Sequence, residues 1–281
     1  MTSSLDCARP PLREVIKSHC LDTKRRLGQH FLLDSNLTHK IADAAGNLGA
    51  CSVIEIGPGP GGLTRALLDA GAKRVIAVEL DSRCVKALED LVVESSGRLC
   101  VLEGDALTTD PAEIAPPPRC IVANLPYNIA TPLLLKWLYM ADQVEEMILT
   151  FQKEVAERLY AKPRSKAYGR LSIIAQWRTE VTPLFDISPK SFMPPPKVIS
   201  SVVRLRPREE PLAPANINRL DQVTRAAFGQ RRKMLRTSLQ TLGPKSGVLL
   251  EEVGIMPTAR AEELTVEEFC ALARALAKHF D

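Results

Sequence analysis

The sequence predicts an α/β protein in which a largely parallel sheet, covered by helices on both faces, precedes a small C-terminal all-helical domain. Three observations predict this. From residue 51 to about 151, short apolar runs alternate with helical patterns, the order that parallel strands and crossover helices produce. A glycine-rich segment, Gly57-Pro58-Gly59-Pro60-Gly61-Gly62, joins the first run to the first helical pattern, where such folds receive a ligand. Beyond the proline-bounded Arg206-Pro207-Arg208-Glu209-Glu210-Pro211, only helical patterns remain. The expected division is an N-terminal extension over 1–26, an α/β domain over 27–207 and a helical domain over 208–281.

Ser52-Val53-Ile54-Glu55-Ile56 reads as a buried strand, and the helix after its glycine loop carries Leu63, Ala66, Leu67 and Ala70 on one face. Arg74 to Glu79 is a second strand, followed by a helix marked by Val85, Leu88 and Val92. Leu99 to Leu102, Cys120 to Ala123 and Met147 to Phe151 continue the series. Thr131-Pro132 reads as an N-cap with proline at the first helical position, opening a helix with Leu134, Trp137 and Leu138 inward. Two further strands are expected near Glu180 to Phe185 and Ser200 to Leu205, and Pro10 to Glu14 suggests a short N-terminal helix. In the tail, Thr265 and Glu268 form a capping box before Val266, Phe269, Leu272, Ala273 and Leu276.

Composition excludes several classes. Hydrophobic residues at 45% and charged residues at 25% describe an ordinary globular chain, and no apolar run approaches the roughly 18–20 residues of a membrane span. The first twenty residues lack the apolar core of a signal peptide, so a cytoplasmic location is expected. Seven scattered cysteines without a C-x-x-C pair exclude a full disulfide framework; Cys51, Cys100 and Cys120, in or beside apolar runs, read as buried thiols, and with four isolated histidines the cysteines offer no metal site. A net charge of +4 says little, but its distribution says more. Lys24-Arg25-Arg26 form one basic knot, and Arg225, Arg231, Arg232, Lys233 and Arg236 another, the kind of cluster that binds phosphates or makes a solvated helix face.

The glycine loop alone is ambiguous. Gly57, Gly59 and Gly62 satisfy G-x-G-x-x-G, and Glu79 at the end of the second strand is placed to accept ribose hydroxyls, as in nicotinamide enzymes. Two later features discriminate. Gly104-Asp105 puts a second carboxylate at the same sheet edge, suited to an adenine amine. Asn124-Leu125-Pro126-Tyr127 follows the fourth strand, and hydride transfer has no evident use for it.

The tetrapeptide suits chemistry at an exocyclic adenine amine, whose lone pair is delocalised into the ring. The Asn124 side-chain oxygen and the Leu125 carbonyl can accept the two amine hydrogens as nitrogen becomes pyramidal, and Pro126 stiffens the turn that presents them. Tyr127 offers a flat face for the base. A sulfonium methyl donor is already activated, so neither a nucleophilic Ser or Cys nor a metal is called for.

Together these motifs resemble the family of small-subunit ribosomal RNA adenine N6,N6-dimethyltransferases (KsgA type). The resemblance runs through Leu27-Gly28-Gln29-His30-Phe31-Leu32, Glu55 to Gly59, Val78-Glu79-Leu80-Asp81, Gly104-Asp105 and Asn124 to Ile129. It continues through Gln152-Lys153-Glu154-Val155, Tyr168-Gly169-Arg170-Leu171-Ser172, Phe192 to Val198 and Phe228 to Lys233. It implies a Rossmann-like class I S-adenosylmethionine-dependent methyltransferase domain with a helical RNA-facing domain. His30, Leu32, Gly57, Glu79, Asp105 and Asn124 would line the cofactor pocket, with Glu79 on the ribose and Asp105 on the adenine. His30 departs from the family's more usual Asn. Phe192 would face the target base opposite Tyr127, and Arg231, Arg232 and Lys233, on a basic helix from Gln230 to Arg236, would meet RNA. The implied reaction dimethylates two adjacent adenines in a hairpin near the 3′ end of 16S ribosomal RNA during small-subunit (30S) biogenesis. A monomer is the default expectation for the chain.

Other readings carry distinct signatures. A macrolide-resistance methyltransferase modifying the large subunit shares the tetrapeptide, but the stretches at 152–155 and 168–172 fit the small-subunit family better. A DNA adenine methyltransferase would carry a target-recognition insertion. A noncatalytic assembly factor or mitochondrial transcription factor on this fold would not need the acceptor pair with both carboxylates intact.

Overall fold

In the computed structural model, which describes residues 9–21, 28–243 and 246–280, each expected strand is present. In chain order the strands are β1 (Phe31–Leu32), β2 (Ser52–Ile56), β3 (Val75–Glu79), β4 (Leu99–Glu103), β5 (Arg119–Asn124), β6 (Glu146–Gln152), β7 (Thr179–Ile187), β8 (Phe192–Met193) and β9 (Ser200–Pro207). The knot at Lys24-Arg25-Arg26 lies outside the described residues. The expected N-terminal helix spans Leu12–Ser18. The fold is mixed α/β, with a parallel-dominated sheet and helices toward the C-terminus. Backbone contacts divide the chain into two units: Met1–Ile129 with Ile148–Thr150 and Ile187–Ile199, and Ala130–Met147 with Phe151–Asp186 and Ser200–Asp281.

The first unit orders its strands β4-β3-β2-β5, with residues 148–150 of β6 next. The pairs β2–β3, β2–β5 and β3–β4 are parallel, with Val53 opposite Val75 and Cys120, and Val75 opposite Leu99. Every residue of β2 and β3 is buried, because crossover helices cover both faces. The helix Gly62–Asp69 contributes Leu63, Ala66, Leu67 and Leu68 to that cover. Parallel strands end together. The Gly57 N–H donates to the Val78 carbonyl (2.9 Å) and the Gly104 N–H to the Glu79 carbonyl (2.9 Å), so the loops after β2, β3, β4 and β5 open on one edge. A separate two-stranded pair, β1 with β8, sets Phe31 opposite Met193 and Leu32 opposite Phe192.

The second unit orders its strands β6-β9-β7. Pro183 sits in the outermost strand, β7, where a missing N–H leaves no ladder bond unmade. Beyond Pro207 the described residues form helices and one isolated bridge, Met234 with Arg260. The helices Ile217–Gly229 and Val266–Phe280 bury Leu220, Val223 and Ala227 with Phe269, Leu272 and Leu276. Phe228 joins Tyr168 (ring centroids 6.2 Å) to Phe269 (5.7 Å). The capping box is formed: the Thr265 N–H donates to Glu268 (2.7 Å) and the Glu268 N–H to the Thr265 hydroxyl (3.2 Å). Part of the Tyr168–Ser172 stretch has a structural explanation. The Ser172 hydroxyl accepts the Gly169 N–H and donates to the Arg158 carbonyl, while Arg170 pairs with Asp221 at 2.6 Å.

Three local expectations are corrected. Cys51 and Cys120 are buried thiols, but Cys100 is exposed, because β4 is the outermost strand of its sheet and is only partly covered. The helix expected to open at Thr131-Pro132 spans Tyr127–Tyr139, with Pro132 inside it. Burial of Leu133, Leu134, Trp137 and Leu138 outweighs the one backbone bond that proline cannot donate. The stretch Gln230 to Arg236 is not one helix. Its basic residues 231–233 form a turn between Ile217–Gly229 and the short helix Leu235–Ser238. The bridge at Met234, with Leu235 N–H donating to the Ala259 carbonyl (2.8 Å), draws the chain out of the helical path.

Candidate functional site

One cleft at the sheet's C-terminal edge, built entirely from the first unit, is lined by His30, Leu32, Gly57, Glu79, Asp105, Asn124, Leu125 and Tyr127. Gly57 (φ +67°) and Gly59 (φ +55°) turn the chain through the left-handed region. A side chain at Gly59 would also meet the Phe31 ring, 2.8 Å from where its Cβ would stand. Glycine at this position leaves room for β1 to lie directly on the loop.

Glu79 is 5% exposed. Its carboxylate accepts the N–H groups of Asp81 (2.8 Å) and Gly59 (3.1 Å), so it pins the glycine loop while presenting itself to the cleft. Burial pushes its pKa above the usual carboxylate range; the backbone bonds oppose that shift and the Asp81 charge adds to it. Asp105 is less enclosed, and one of its oxygens accepts the Leu107 N–H at 2.9 Å.

Asn124 ends β5. Its amide nitrogen donates to the His30 carbonyl (3.1 Å), while its side-chain oxygen is buried and without a hydrogen-bond partner among the described residues. A buried acceptor left open is costly, by about 1–3 kcal/mol, so it is expected to meet a donor in the working state. Leu125 is 2% exposed, so its backbone is fixed beside it. Tyr127 opens the following helix, its ring 5.2 Å from that of His30 and tilted by 32°. His30 also places Nδ1 2.8 Å from the Pro194 carbonyl. One residue therefore touches the acceptor, the aromatic face and the proline loop.

Phe192 is not brought into this cleft. It is 4% exposed, pairs with Leu32 across β1–β8, and lines a neighbouring groove. Arg231, Arg232 and Lys233 belong to the second unit, where Arg231 pairs with Glu262 (2.9 Å) and Arg232 and Lys233 are exposed.

Sequence reasoning passed over three lining residues. Glu55 is 1% exposed, has one oxygen without a partner, and is pushed up to about 8 by burial, with the Glu79 charge acting in the same direction. Its signal was a lone acid inside an otherwise apolar strand. Leu80 and Leu107, 55% and 37% exposed, give the cleft apolar walls beside Glu79 and Asp105. Leucines one position after Glu79 and two after Asp105 were the clue. Among the described residues no His, Cys, Asp and Glu cluster suits a metal, and no helix is long and apolar enough to cross a membrane.

The cleft can take a ligand with a hydroxylated or cationic part at its carboxylates, flat apolar rings at Leu80 and Leu107, and an amine at Asn124. A family model described as ribosomal RNA adenine dimethylase matches residues 21–278. A protein called ribosomal RNA small subunit methyltransferase A from Paramagnetospirillum magneticum is 62% identical over 267 residues, covering 95% of each chain. One of the same description from Rhodospirillum rubrum is 59% identical, covering 95% of this chain and 92% of its own. Among solved structures, a dimethyladenosine transferase from Plasmodium falciparum superposes with a TM-score of 0.78 at 30% identity, covering 89% and 98% of the two chains. The 23S rRNA methyltransferase ErmE gives 0.65 at 28% identity, covering 88% and 99%.

Proposed function

Because the chain belongs to the ribosomal RNA adenine dimethylase family, we propose that it uses S-adenosylmethionine to dimethylate, at N6, two adjacent adenines in a hairpin near the 3′ end of 16S ribosomal RNA. The observation that carries this reading is the open Asn124 oxygen. An adenine amine offers two N–H donors; Asn124 takes one and the Leu125 carbonyl the other, and both bonds strengthen as nitrogen becomes pyramidal. The His30 carbonyl occupies the Asn124 amide nitrogen, which keeps the oxygen free for substrate. Tyr127 stacks on the base, a contact worth roughly 1–3 kcal/mol.

The cleft fits the cofactor, because it combines two buried carboxyl groups with apolar walls. When bound, S-adenosylmethionine supplies an activated methyl group on a sulfonium. Glu79 would hold the ribose hydroxyls and Asp105 the adenine amine, with Gly57, Leu32 and His30 lining the same cleft. Phe192 supports β1 from behind in this state and faces the second side of the target base only if the β8 loop shifts. Residues 27–207 act as the catalytic domain. Residues 208–281 face RNA through Arg231, Arg232 and Lys233. The protein works as a cytoplasmic monomer on small subunits, with methylation coupled to their assembly.

The test is methyl transfer from tritiated cofactor to undermethylated small subunits, with large subunits in parallel. Label recovered as N6,N6-dimethyladenine in the small-subunit RNA supports the reading. Label in the large subunit alone, or none in either despite bound cofactor, overturns it.

A further inference from the structure

Gly62 lines two depressions of the first unit: the cleft described above, and a groove lined by Leu12, Leu33, Phe192 and Met193. Phe31 and Leu32 of β1 line the cleft, whereas both residues of β8 line the groove. The two depressions are therefore separated by little more than the β1–β8 pair. The loop leaving β8 is tied at Pro194 to His30, which touches Tyr127.

The groove's charges are unbalanced. Arg65 gives Nη1 to the Pro10 carbonyl (2.7 Å), but its Nε is buried without a partner and it makes no ion pair among the described residues. Burial and then the neighbouring Arg9 disfavour its charge, while Glu94 and Asp69 favour it; the open Nε is a donor that a phosphate oxygen can take. Arg13 and Lys190 are exposed and likewise make no ion pair among the described residues. The acids of the groove are already engaged. Asp34 caps the helix Ser35–Ala44 through the Asn36 N–H (3.0 Å) and the Leu37 N–H (3.4 Å). Asp69 pairs with Arg9 (2.8 Å) and lies 3.5 Å from His39. Three cations thus stand over an apolar floor, with Met193 45% exposed at its edge.

We propose that this groove binds the ribose–phosphate strand flanking the target adenine, with Arg13, Arg65 and Lys190 on phosphates and the apolar floor under sugar or base. The proposal rests on the RNA-methylating reading of the adjacent cleft. Continuity favours RNA over an acidic peptide. A strand that delivers a base to Tyr127 must continue across one side of the cleft, and the β8 side is where cations lack counter-charges.

The test compares wild type with the double variant Arg13→Ala/Lys190→Ala, whose side chains are exposed and outside the cleft. A transcript of the 3′ hairpin of small-subunit ribosomal RNA is bound at several salt concentrations. Losing two phosphate contacts should flatten the slope of log K against log salt by roughly 1.4–1.8, with cofactor affinity by calorimetry unchanged. A control variant, Lys73→Ala/Lys86→Ala, removes two exposed charges from the same unit away from the groove and should leave the slope near wild type. An unchanged slope in the groove variant, an equal loss in the control, or displacement of RNA by polyglutamate as effectively as by unlabelled hairpin overturns the proposal. If wild type itself binds no such RNA, the RNA reading of the cleft falls and the groove proposal with it; in the other failing outcomes only the groove proposal falls.

Discussion

The two ends of the cleft solve opposite electrostatic problems. At the carboxylate end, Glu55 and Glu79 are acids held where burial disfavours their charge. At the tetrapeptide end, Asn124 is neutral, and its cost is an acceptor left open rather than a charge desolvated. Each end is thereby matched to a different partner. A buried carboxylate is suited to polar or cationic groups of a resident ligand that stays through the reaction. An open neutral acceptor is suited to an amine whose demand for hydrogen bonding rises only while a bond forms, where differential stabilisation raises rate rather than affinity.

The contrast breaks most sharply at Asn124. Asn124→Ala is expected to lower the single-turnover methylation rate on the order of 10²–10³, as for other positioned polar groups at a transition state. Cofactor affinity should change far less, and a variant with normal turnover would remove the acceptor role. Glu79→Ala should show the reverse balance. Hydrogen bonds to a charged group are worth about 1.5–3 kcal/mol each, so calorimetry should find cofactor affinity reduced on the order of 10–100-fold. The substitution also removes the bonds from the Gly59 and Asp81 N–H groups, so Glu79→Gln, which keeps an acceptor, should recover part of the loss.

The carboxylate end is also set apart by its pH dependence, through Glu55. Its folded-state value of about 8 stands above the ordinary 4.5, so between those limits the folded protein holds a proton that the unfolded chain has released. Stability from this group is greatest below pH 4.5, declines as pH rises toward 8 and is flat beyond. Glu55→Gln removes the titrating group while keeping its shape. Without cofactor, the variant should gain stability relative to wild type steadily across that window, by about 1.4 kcal/mol per pH unit at the theoretical limit and less where the site relaxes. Denaturant titrations at a series of pH values measure the gap, and a gap independent of pH would mean that Glu55 is ionised in the fold.

Much of this could be read from sequence, and the misses share a cause. Strands buried on both faces betray themselves as continuous apolar runs, and β2 spans the expected Ser52 to Ile56 without change. Gly57, Glu79, Asp105 and Asn124 were legible because parallel strands end on a common edge, so their positions after each strand fix their neighbourhood. Long-range pairings without periodicity were not legible. β1 and β8 are two residues each, too short to show alternation, yet their pairing keeps Phe192 at 4% exposure outside the cleft. The turn at 231–233 depends on backbone bonds to residues near 260, which local helical propensity cannot anticipate.

His30 tests how far the two ends are joined, and its expected effect is the smallest. The backbone carbonyl that orients Asn124 survives any side-chain substitution, so the acceptor should persist. What the ring adds is contact with Tyr127 and a hydrogen bond to the Pro194 carbonyl. His30→Asn retains a donor for Pro194 but loses the ring, whereas His30→Ala loses both. If the ring acts on the target base through Tyr127, both variants should raise KM for RNA several-fold, alanine more than asparagine, while cofactor affinity stays within about twofold, each net hydrogen bond being worth about 0.5–1.5 kcal/mol. A fall in cofactor affinity with KM for RNA unchanged would instead assign the ring to the carboxylate end, and the cleft would then lack any side chain bridging its two halves.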